Sequence, residues 1–405
     1  MIPTDRGTMA AKNLAVLGAA PAFSEAIHVG RPNLGNRARF LDRIETMLDR
    51  RYLTNSGPFE RELEQRIAEL LGVRHCVAMS SATIALEIAI RALDLRDEVI
   101  VPSFTFVATA HALQWQRITP VFCDIDPQTH NIDPRKIEAL ITPRTSGILA
   151  VHLWGRPCAI KELQAIADRH GLALLFDAAH AFGCQYNGCK IGRFGRAEVL
   201  SFHATKFIST GEGGAVATDD DDLAERMQLM KNFGFAGYDR VISIGTNGKM
   251  NELSAAMGLT HLESLEEFVR INRQNFLAYE KNLSGIRGLE LLRYEDAHSP
   301  NYQYVVMEVD AGEIGLTRDQ LVAVLHAENV LARRYFYPGV HRMEPYRSLF
   351  PESRRRLPAT ETIADRVLVL PTGTGITPRE IAKICSLIRS AVENSDEVRS
   401  ALAAR

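Results

Sequence analysis

Between His75 and Asp219 the chain carries a succession of short apolar runs: His75–Ser80, Glu98–Val101, Pro120–Asp124, Ile148–Leu153, Ala173–Asp177 and Val199–His203. They are rich in Val, Ile, Leu and Phe and show no polar alternation, the signature of strands covered on both faces. Helical patterns separate the early runs, over Thr83–Leu93, Val107–Gln116, Pro134–Leu140 and Ile160–His170. Strand and helix in repeated alternation predict an α/β domain around a mostly parallel sheet. In such a sheet ligands sit beyond the carboxyl ends of the strands, so chemistry is to be sought just after each apolar run.

Beyond Gly245 the pattern changes. Leu253–Leu283 reads as one long, largely uninterrupted helix suited to bridging two domains. A strand over Tyr304–Val309 and helices over Arg318–Glu328 and Pro378–Val392 follow. These predict an irregular N-terminal arm over residues 1–30, a large α/β domain over 31–265 and a smaller α+β domain over 266–405. Asp219–Asp222 reads as a solvated turn.

A chain of 405 residues, 46% apolar and 24% charged, suits a soluble globular protein of this plan. Its formal net charge of −2 offers no overall attraction to nucleic acid or to an anionic membrane. No apolar run approaches the roughly 20 residues of a membrane span. The weakly apolar start is interrupted by Asp5, Arg6 and Lys12 and has no signal-peptide core. The six cysteines are scattered without a Cys-x-x-Cys pair. Neither a zinc site nor a disulfide framework is therefore expected, and the cytoplasm is the expected compartment.

Three segments carry candidate chemistry. In AEVLSFHATKFISTGEGGAVATD (197–219) an apolar strand runs into Ser201 and His203, and Lys206 follows before a glycine-rich turn. Desolvating an ammonium is costly, so a lysine just beyond a buried strand suits one whose charge is altered or used, as in an imine with an aldehyde cofactor. A loop lysine beside a hairpin turn is the plainer alternative. In LALLFDAAHAFG (172–183) Asp177 ends a strongly apolar strand and His180 follows three residues on. Such a carboxylate needs a cationic or donor partner, and a protonated pyridine nitrogen is one; a helix cap is another use for it. His180 fits either a neighbour of that ring or a satisfied core histidine. In MSSATIAL (79–86) Ser81, Ala82 and Thr83 open a helix, where small residues and hydroxyls suit a phosphate as well as an ordinary cap. Phe106, after the strand DEVIVP, would cover a ring or simply pack in the core. A phosphate cup, an aromatic cover, a carboxylate and a lysine, each at a strand end, favour the chemical reading.

These segments resemble the pyridoxal-phosphate sugar-nucleotide aminotransferases of the DegT–StrS group, which have the aspartate-aminotransferase fold of type I. The resemblance is carried by LTNSGPFERELE (53–64), SSATIAL (80–86), DEVIVPSFTFVATAHAL (97–113), PVFCDID (120–126), VHLWG (151–155), FDAAHAFG (176–183), SFHATKFISTGEGGAV (201–216), IGTNGKMNEL (244–253) and ARRYFYPGVH (332–341). It implies a mostly parallel seven-stranded sheet flanked by helices, with a smaller α+β C-terminal domain. It implies pyridoxal 5′-phosphate as cofactor, with pyridoxamine phosphate as the intermediate form. Lys206 would be the Schiff-base lysine, Asp177 the partner of the pyridine nitrogen and His180 a neighbour of the ring hydroxyl. Ala82, Thr83 and Ser201 would hold the phosphate, and Phe106 would stack on the ring. The resemblance also implies a homodimer with shared sites, in which Asn232 reaches the partner's phosphate. Thr54, Asn247 and Tyr337 would lie along the sugar-nucleotide cleft. Ala82 stands where many members have glycine, which narrows the room for backbone approach.

SFHATKF and ARRYFYPGVH are most similar to members that aminate dTDP-4-keto-6-deoxyglucose, with L-glutamate as the implied amino donor. Amination of a 3-keto sugar nucleotide is the alternative. Relatives that dehydrate sugars carry histidine in place of the lysine, and Lys206 sets this chain apart from them. Regulatory proteins that retain the fold carry an appended DNA-binding domain, for which residues 1–30 are too short.

Overall fold

The apolar runs of the first half are strands of one sheet, and that sheet contains one further strand that the pattern of runs did not single out. The computed structural model describes residues 14–404. A short strand β1 (Ile27–His28) and helices α1 (Arg37–Arg50) and α2 (Pro58–Leu71) precede the sheet. Strands β2 (His75–Met79), β3 (Glu98–Pro102), β4 (Thr119–Cys123), β5 (Thr145–Val151) and β6 (Ala173–Asp177) follow. Helices α3 (Ala82–Ala92), α4 (Val107–Gln114) and α5 (Ile160–His170) connect them. A small hairpin of β7 (Gln185–Tyr186) and β8 (Cys189–Lys190) leads to β9 (Ala197–Ser201) and β10 (Gly214–Thr218).

The seven strands of the sheet lie in the order β2-β10-β9-β6-β5-β3-β4. All run the same way except β10, which is antiparallel to both neighbours, β2 and β9. Alternate residues of one strand enter opposite cores: Val99 and Val101 face α3 and α4, while Ile100 joins the cluster under α2 and α5. Burial of both faces is the physical source of the unbroken apolar runs.

Pro134–Leu140 is not a helix but two short 3₁₀ turns, Pro134–Lys136 and Glu138–Leu140, the first capped by Asp133. Too few apolar positions recur there to bury a helical face. Asp219–Asp222 is more than a turn. Asp220 accepts a hydrogen bond from Leu223 N–H and caps α6 (Asp221–Met230), and Asp221 and Asp222 sit in its first turn. The long helix expected over 253–283 is two helices, α7 (Glu252–Leu262) and α8 (Leu265–Leu283), with Asn251 capping the first. At the break Glu263 gathers Arg39 (2.8 Å), Arg43 (2.6 Å) and Arg66 (3.4 Å). Neither glycine nor proline marks the break, so the apolar periodicity runs across it.

Helix α8 passes from one core to the next: Phe268 packs with the large sheet, whereas Phe276, Tyr279 and Leu283 belong to the C-terminal cluster. That cluster surrounds a second sheet of β11 (Leu289–Leu291), β12 (Val305–Val309) and, beyond a short strand β13 (Val330–Leu331), β14 (Val367–Leu370). Of the arm expected over residues 1–30, residues 1–13 lie outside the described residues; the remainder is irregular apart from a 3₁₀ turn over Ala15–Leu17 and the two residues of β1, and it is docked. Leu14, Val16, Phe23 and Ile27 are buried in the C-terminal cluster, and β1 pairs in parallel with β13. Glu328 receives the amides of Ala15 (2.6 Å) and Ala22 (2.7 Å). These apolar residues follow neither period, which hid their burial.

Next to the open end of β2, Lys231 is buried with two carboxylates. Its ammonium donates to Glu60 and Glu64, each at 2.9 Å, and to Ala78 O at 3.1 Å, while Glu64 accepts from Ala78 N–H at 2.7 Å. The network ties α2, β2 and the segment after α6 together. Removing the cation leaves buried carboxylates uncompensated, so Lys231→Met is expected to lower unfolding free energy by about 3–5 kcal/mol, read from urea denaturation. An unchanged midpoint would refute it.

Candidate active site

The carboxyl ends of the parallel strands converge on a cavity of about 260 Å³. The start of strand β10 brings two sides of it together. Gly214 pairs with Met79 on one side and Ser201 on the other, so the start of α3 and the end of β9 meet across one residue. A Cβ on Gly214 would lie 2.5 Å from Ala82 N and 2.6 Å from its Cα, so only glycine allows the approach. Ser81 caps α3, its hydroxyl accepting from Ile84 N–H at 3.2 Å. The amides of Ala82 and Thr83 have no intrahelical partner, as first-turn amides never do. With Ser201 they form a concave set of donors at the positive end of a helix, suited to a phosphate.

Asp177 ends β6, only 6% exposed. One carboxylate oxygen accepts from Ala179 N–H at 3.1 Å and the other from Thr109 Oγ1 at 2.9 Å. Burial pushes its pKa up, while those two donors and the charge of Lys206 pull it back. Two hydrogen bonds leave lone pairs for a further donor on the cavity side. His180 is buried among Trp154, Tyr304 and Phe336, with ring separations of 6.0, 4.6 and 6.0 Å. Its Nδ1 accepts from Trp154 N–H at 3.2 Å, which places the ring proton on Nε2. Burial holds its pKa well below the usual value, so the ring is neutral.

Lys206 stands between these groups, its side chain half-buried in the cavity wall. Its Nζ lies 3.2 Å from Tyr304 Oη. Burial lowers its pKa to about 8, against the attraction of Asp177. Phe106, at the start of α4, forms an opposite wall and is 57% exposed.

Seven of the residues singled out in the sequence therefore line one cavity: Ala82, Thr83, Phe106, Asp177, His180, Ser201 and Lys206. Four are not among its lining within this chain. Asn232 forms an antiparallel bridge with Asn247, at the base of a segment that exposes Phe233, Tyr238 and Ile244. Thr54 is exposed beside α2. The Tyr337 ring is held 5.0 Å from the Arg318 guanidinium and 4.9 Å from that of Arg334. From its motif, Tyr335 and Phe336 line the cavity instead. These two, with Tyr304 and Thr109, were missed. Tyr304 lies 98 residues from Lys206, a separation across which no local pattern in the sequence signals contact.

The model of the DegT/DnrJ/EryC1/StrS aminotransferase family matches residues 36–389. The chain belongs to this family. Among curated relatives, dTDP-4-amino-4,6-dideoxy-D-glucose transaminase of Escherichia coli is 39% identical over 367 residues, 90% of this chain and 98% of the relative. GDP-perosamine synthase of Caulobacter vibrioides is 35% identical, over 89% of this chain and 97% of the relative. Among solved structures, DesI in the presence of its TDP-sugar product superposes with a TM-score of 0.91 at 46% identity, over 96% of this chain and 99% of DesI.

The chain is thus a pyridoxal-phosphate-dependent sugar aminotransferase. The cavity fits that cofactor. The Gly214 contact leaves a cradle for a phosphate, Asp177 retains accepting capacity for a pyridinium N–H, and the Lys206 amine faces the same space. The depressed Lys206 pKa makes a specific expectation. Below about 8 the amine is protonated and inert, and above it the neutral amine is a nucleophile. In cofactor-free protein, acetylation of Lys206 followed by peptide mass analysis should rise through pH 8, whereas surface lysines rise near their ordinary value. Asp177→Asn removes an attraction that raises the Lys206 pKa, so the rise should move to lower pH; a move upward would contradict this electrostatic account.

Proposed function

We propose that this enzyme transfers the amino group of L-glutamate to C4 of dTDP-4-keto-6-deoxy-D-glucose, giving the 4-amino-4,6-dideoxy sugar nucleotide. The observation that carries the reading is the Lys206 amine, depressed in pKa and set in one cavity with Asp177 and the α3 amides. The substrate rests on likeness to the E. coli transaminase and to DesI.

Pyridoxal phosphate, when bound, supplies an aldehyde that condenses with amines and a ring that withdraws electrons from the adjacent carbon. The residues of the chain supply the rest. The amides of Ala82 and Thr83 with Ser201 hold the phosphate, Phe106 covers the ring face, and Asp177 keeps the pyridine nitrogen protonated. His180, neutral, presents Nε2–H to the ring hydroxyl. Lys206 takes a proton at Nζ and returns it, a task suited to an amine whose pKa lies near the working pH.

We further infer a homodimer with shared sites. The segment after Asn232 exposes Phe233, Phe235, Val241 and Ile242, apolar surface suited to a second copy of the chain, with Asn232 directed to the partner's phosphate cup. Thr54, Asn247 and Tyr337 are assigned to the nucleotide cleft.

Incubation with L-glutamate and the 4-keto or 3-keto dTDP-deoxysugar, followed by NMR location of the new amine, tests the substrate. The amine is expected on C4; an amine on C3 selects the 3-keto reading. Lys206→Ala should lower turnover by about 10²–10⁴-fold or more, and full activity in that variant would end the assignment. Mixing inactive Lys206→Ala and Asn232→Ala proteins under subunit exchange should partly restore activity, because the mixed dimer has one complete site; no restoration argues against shared sites.

A further inference from the structure

The segment Asn301–Tyr304 has no part in the chemistry above, yet buried polar anchors fasten it to both loops of the site. Asn301, 1% exposed, donates from Nδ2 to the carbonyls of His180 (3.0 Å) and Phe182 (3.1 Å). Its Oδ1 accepts from Gln303 N–H at 3.0 Å, and its own carbonyl accepts from Asn272 at 3.2 Å. Gln303 Oε1 accepts at 3.1 Å from Phe207 N–H, the residue after Lys206. Tyr294 Oη donates to the Tyr304 carbonyl at 2.7 Å. A segment pinned to the His180 loop and to the Lys206 loop has little freedom in where its last side chain points. That side chain, Tyr304, is 7% exposed and puts its hydroxyl 3.2 Å from Lys206 Nζ.

We propose that Tyr304 is a positioning residue for the Lys206 amine, holding Nζ against the wall contributed by the C-terminal body and favouring its protonated form. This rests on the reading of Lys206 as the reactive amine. The other groups facing Lys206 come from four segments. Asp177 and His180 come from the end of β6, and Tyr335 from the loop before Phe336. His203 and Glu212 line the cavity from the loop of Lys206 itself, and Arg31 of the N-terminal segment lines a small recess behind it. Among the described residues, it is the Tyr304 hydroxyl that is hydrogen-bonded to Nζ. Burial pushes the phenol pKa up, so it stays neutral and offers the ammonium a lone pair without adding charge. An ammonium-to-phenol bond is charge-assisted and stronger than a phenol-to-amine bond, so the contact raises the proton affinity of Lys206 and restrains the swing of its chain.

The test uses full-length, cofactor-free protein, with Lys206 acetylation measured against pH by peptide mass analysis. In Tyr304→Phe, which keeps the ring contacts with His180 and Trp154, the Lys206 titration should fall by about half to one pH unit. Tyr346→Phe, which removes a buried tyrosine's hydroxyl that is bonded to His111 and anchors neither Lys206 nor the Asn301–Tyr304 segment, should leave it in place. An unchanged or raised titration in folded Tyr304→Phe overturns the proposal. If that variant does not fold, 3-fluorotyrosine at position 304 is the substitute. Its oxygen is a poorer acceptor, so a smaller fall of the same sign is expected, and no fall overturns the proposal. The two readings fail separately: an inactive wild type whose Lys206 still responds to Tyr304→Phe indicts the transaminase assignment, whereas an active wild type whose Lys206 does not respond indicts the role of Tyr304.

Discussion

A side chain at Gly214 would put its Cβ 2.5 Å from the amide of Ala82, and the rest of the site follows from the contact that its absence permits. Strand β10 runs against the grain of the sheet between β2 and β9. Its first residue therefore lies at the edge where its neighbours end. Because that residue is glycine, the first turn of α3 closes down on the end of β9, and Ser201 joins the donors of the helix. Ala82 tolerates this because it contributes its backbone; the missing volume is on Gly214. Asp177 is one strand farther along the same edge, and Lys206 lies in the connection from β9 to β10. The single antiparallel strand thus sets the spacing between phosphate cup, carboxylate and amine.

Two lysines show how surroundings decide the use of one residue type. Lys231 is 1% exposed and has Glu60 and Glu64 within 2.9 Å, so the carboxylates outweigh burial and raise its pKa. It is locked as a cation and serves as a tie between α2, β2 and the base of the exposed segment. Lys206 has a neutral phenol at hydrogen-bond distance and Asp177 as an attracting charge that only partly offsets burial, so its pKa falls to about 8. A lysine compensated by two carboxylates is structural, whereas one left near its titration point exchanges protons at little cost.

The parts of the site that were legible in the sequence all lie within a few residues of a buried strand, because an apolar run announces the strand and hence the edge beyond it. Lys206, Asp177, Ser201 and the Ala82–Thr83 turn were found in this way. What stayed hidden is of two kinds. The breaks and caps at Glu263–Ser264 and Asp220 depend on ion pairs and hydrogen bonds that do not disturb apolar periodicity. The docking of Leu14, Val16, Phe23 and Ile27 is non-periodic burial against residues some three hundred positions away, which includes the Glu328 anchor. Tyr304, Tyr335 and Phe336 reach Lys206 across shorter but still long separations, 98 residues for Tyr304, and nothing near them in the chain distinguishes them from core aromatics.

The cavity therefore has two walls of different origin. The sheet edge supplies the polar wall, fixed by the register of strands buried on both faces. The C-terminal body supplies an aromatic wall, in which Phe336 stacks 5.2 Å from Trp154 and Tyr304 lies 4.6 Å from His180. The segment Val340–Leu357, with a one-turn helix over Tyr346–Leu349, then returns to the large sheet, where Val340, Tyr346 and Leu357 are buried in its core. Ser103, just past β3, accepts from His341 N–H at 3.0 Å and bonds the ring at 2.7 Å. The aromatic wall is thereby clamped at both ends, through Asn301 and Gln303 before Tyr304 and through Ser103 after Phe336. A wall held so firmly has little freedom where it meets the cofactor-binding edge, so the aromatic side is fixed by buried hydrogen bonds as the polar side is fixed by the register of the sheet.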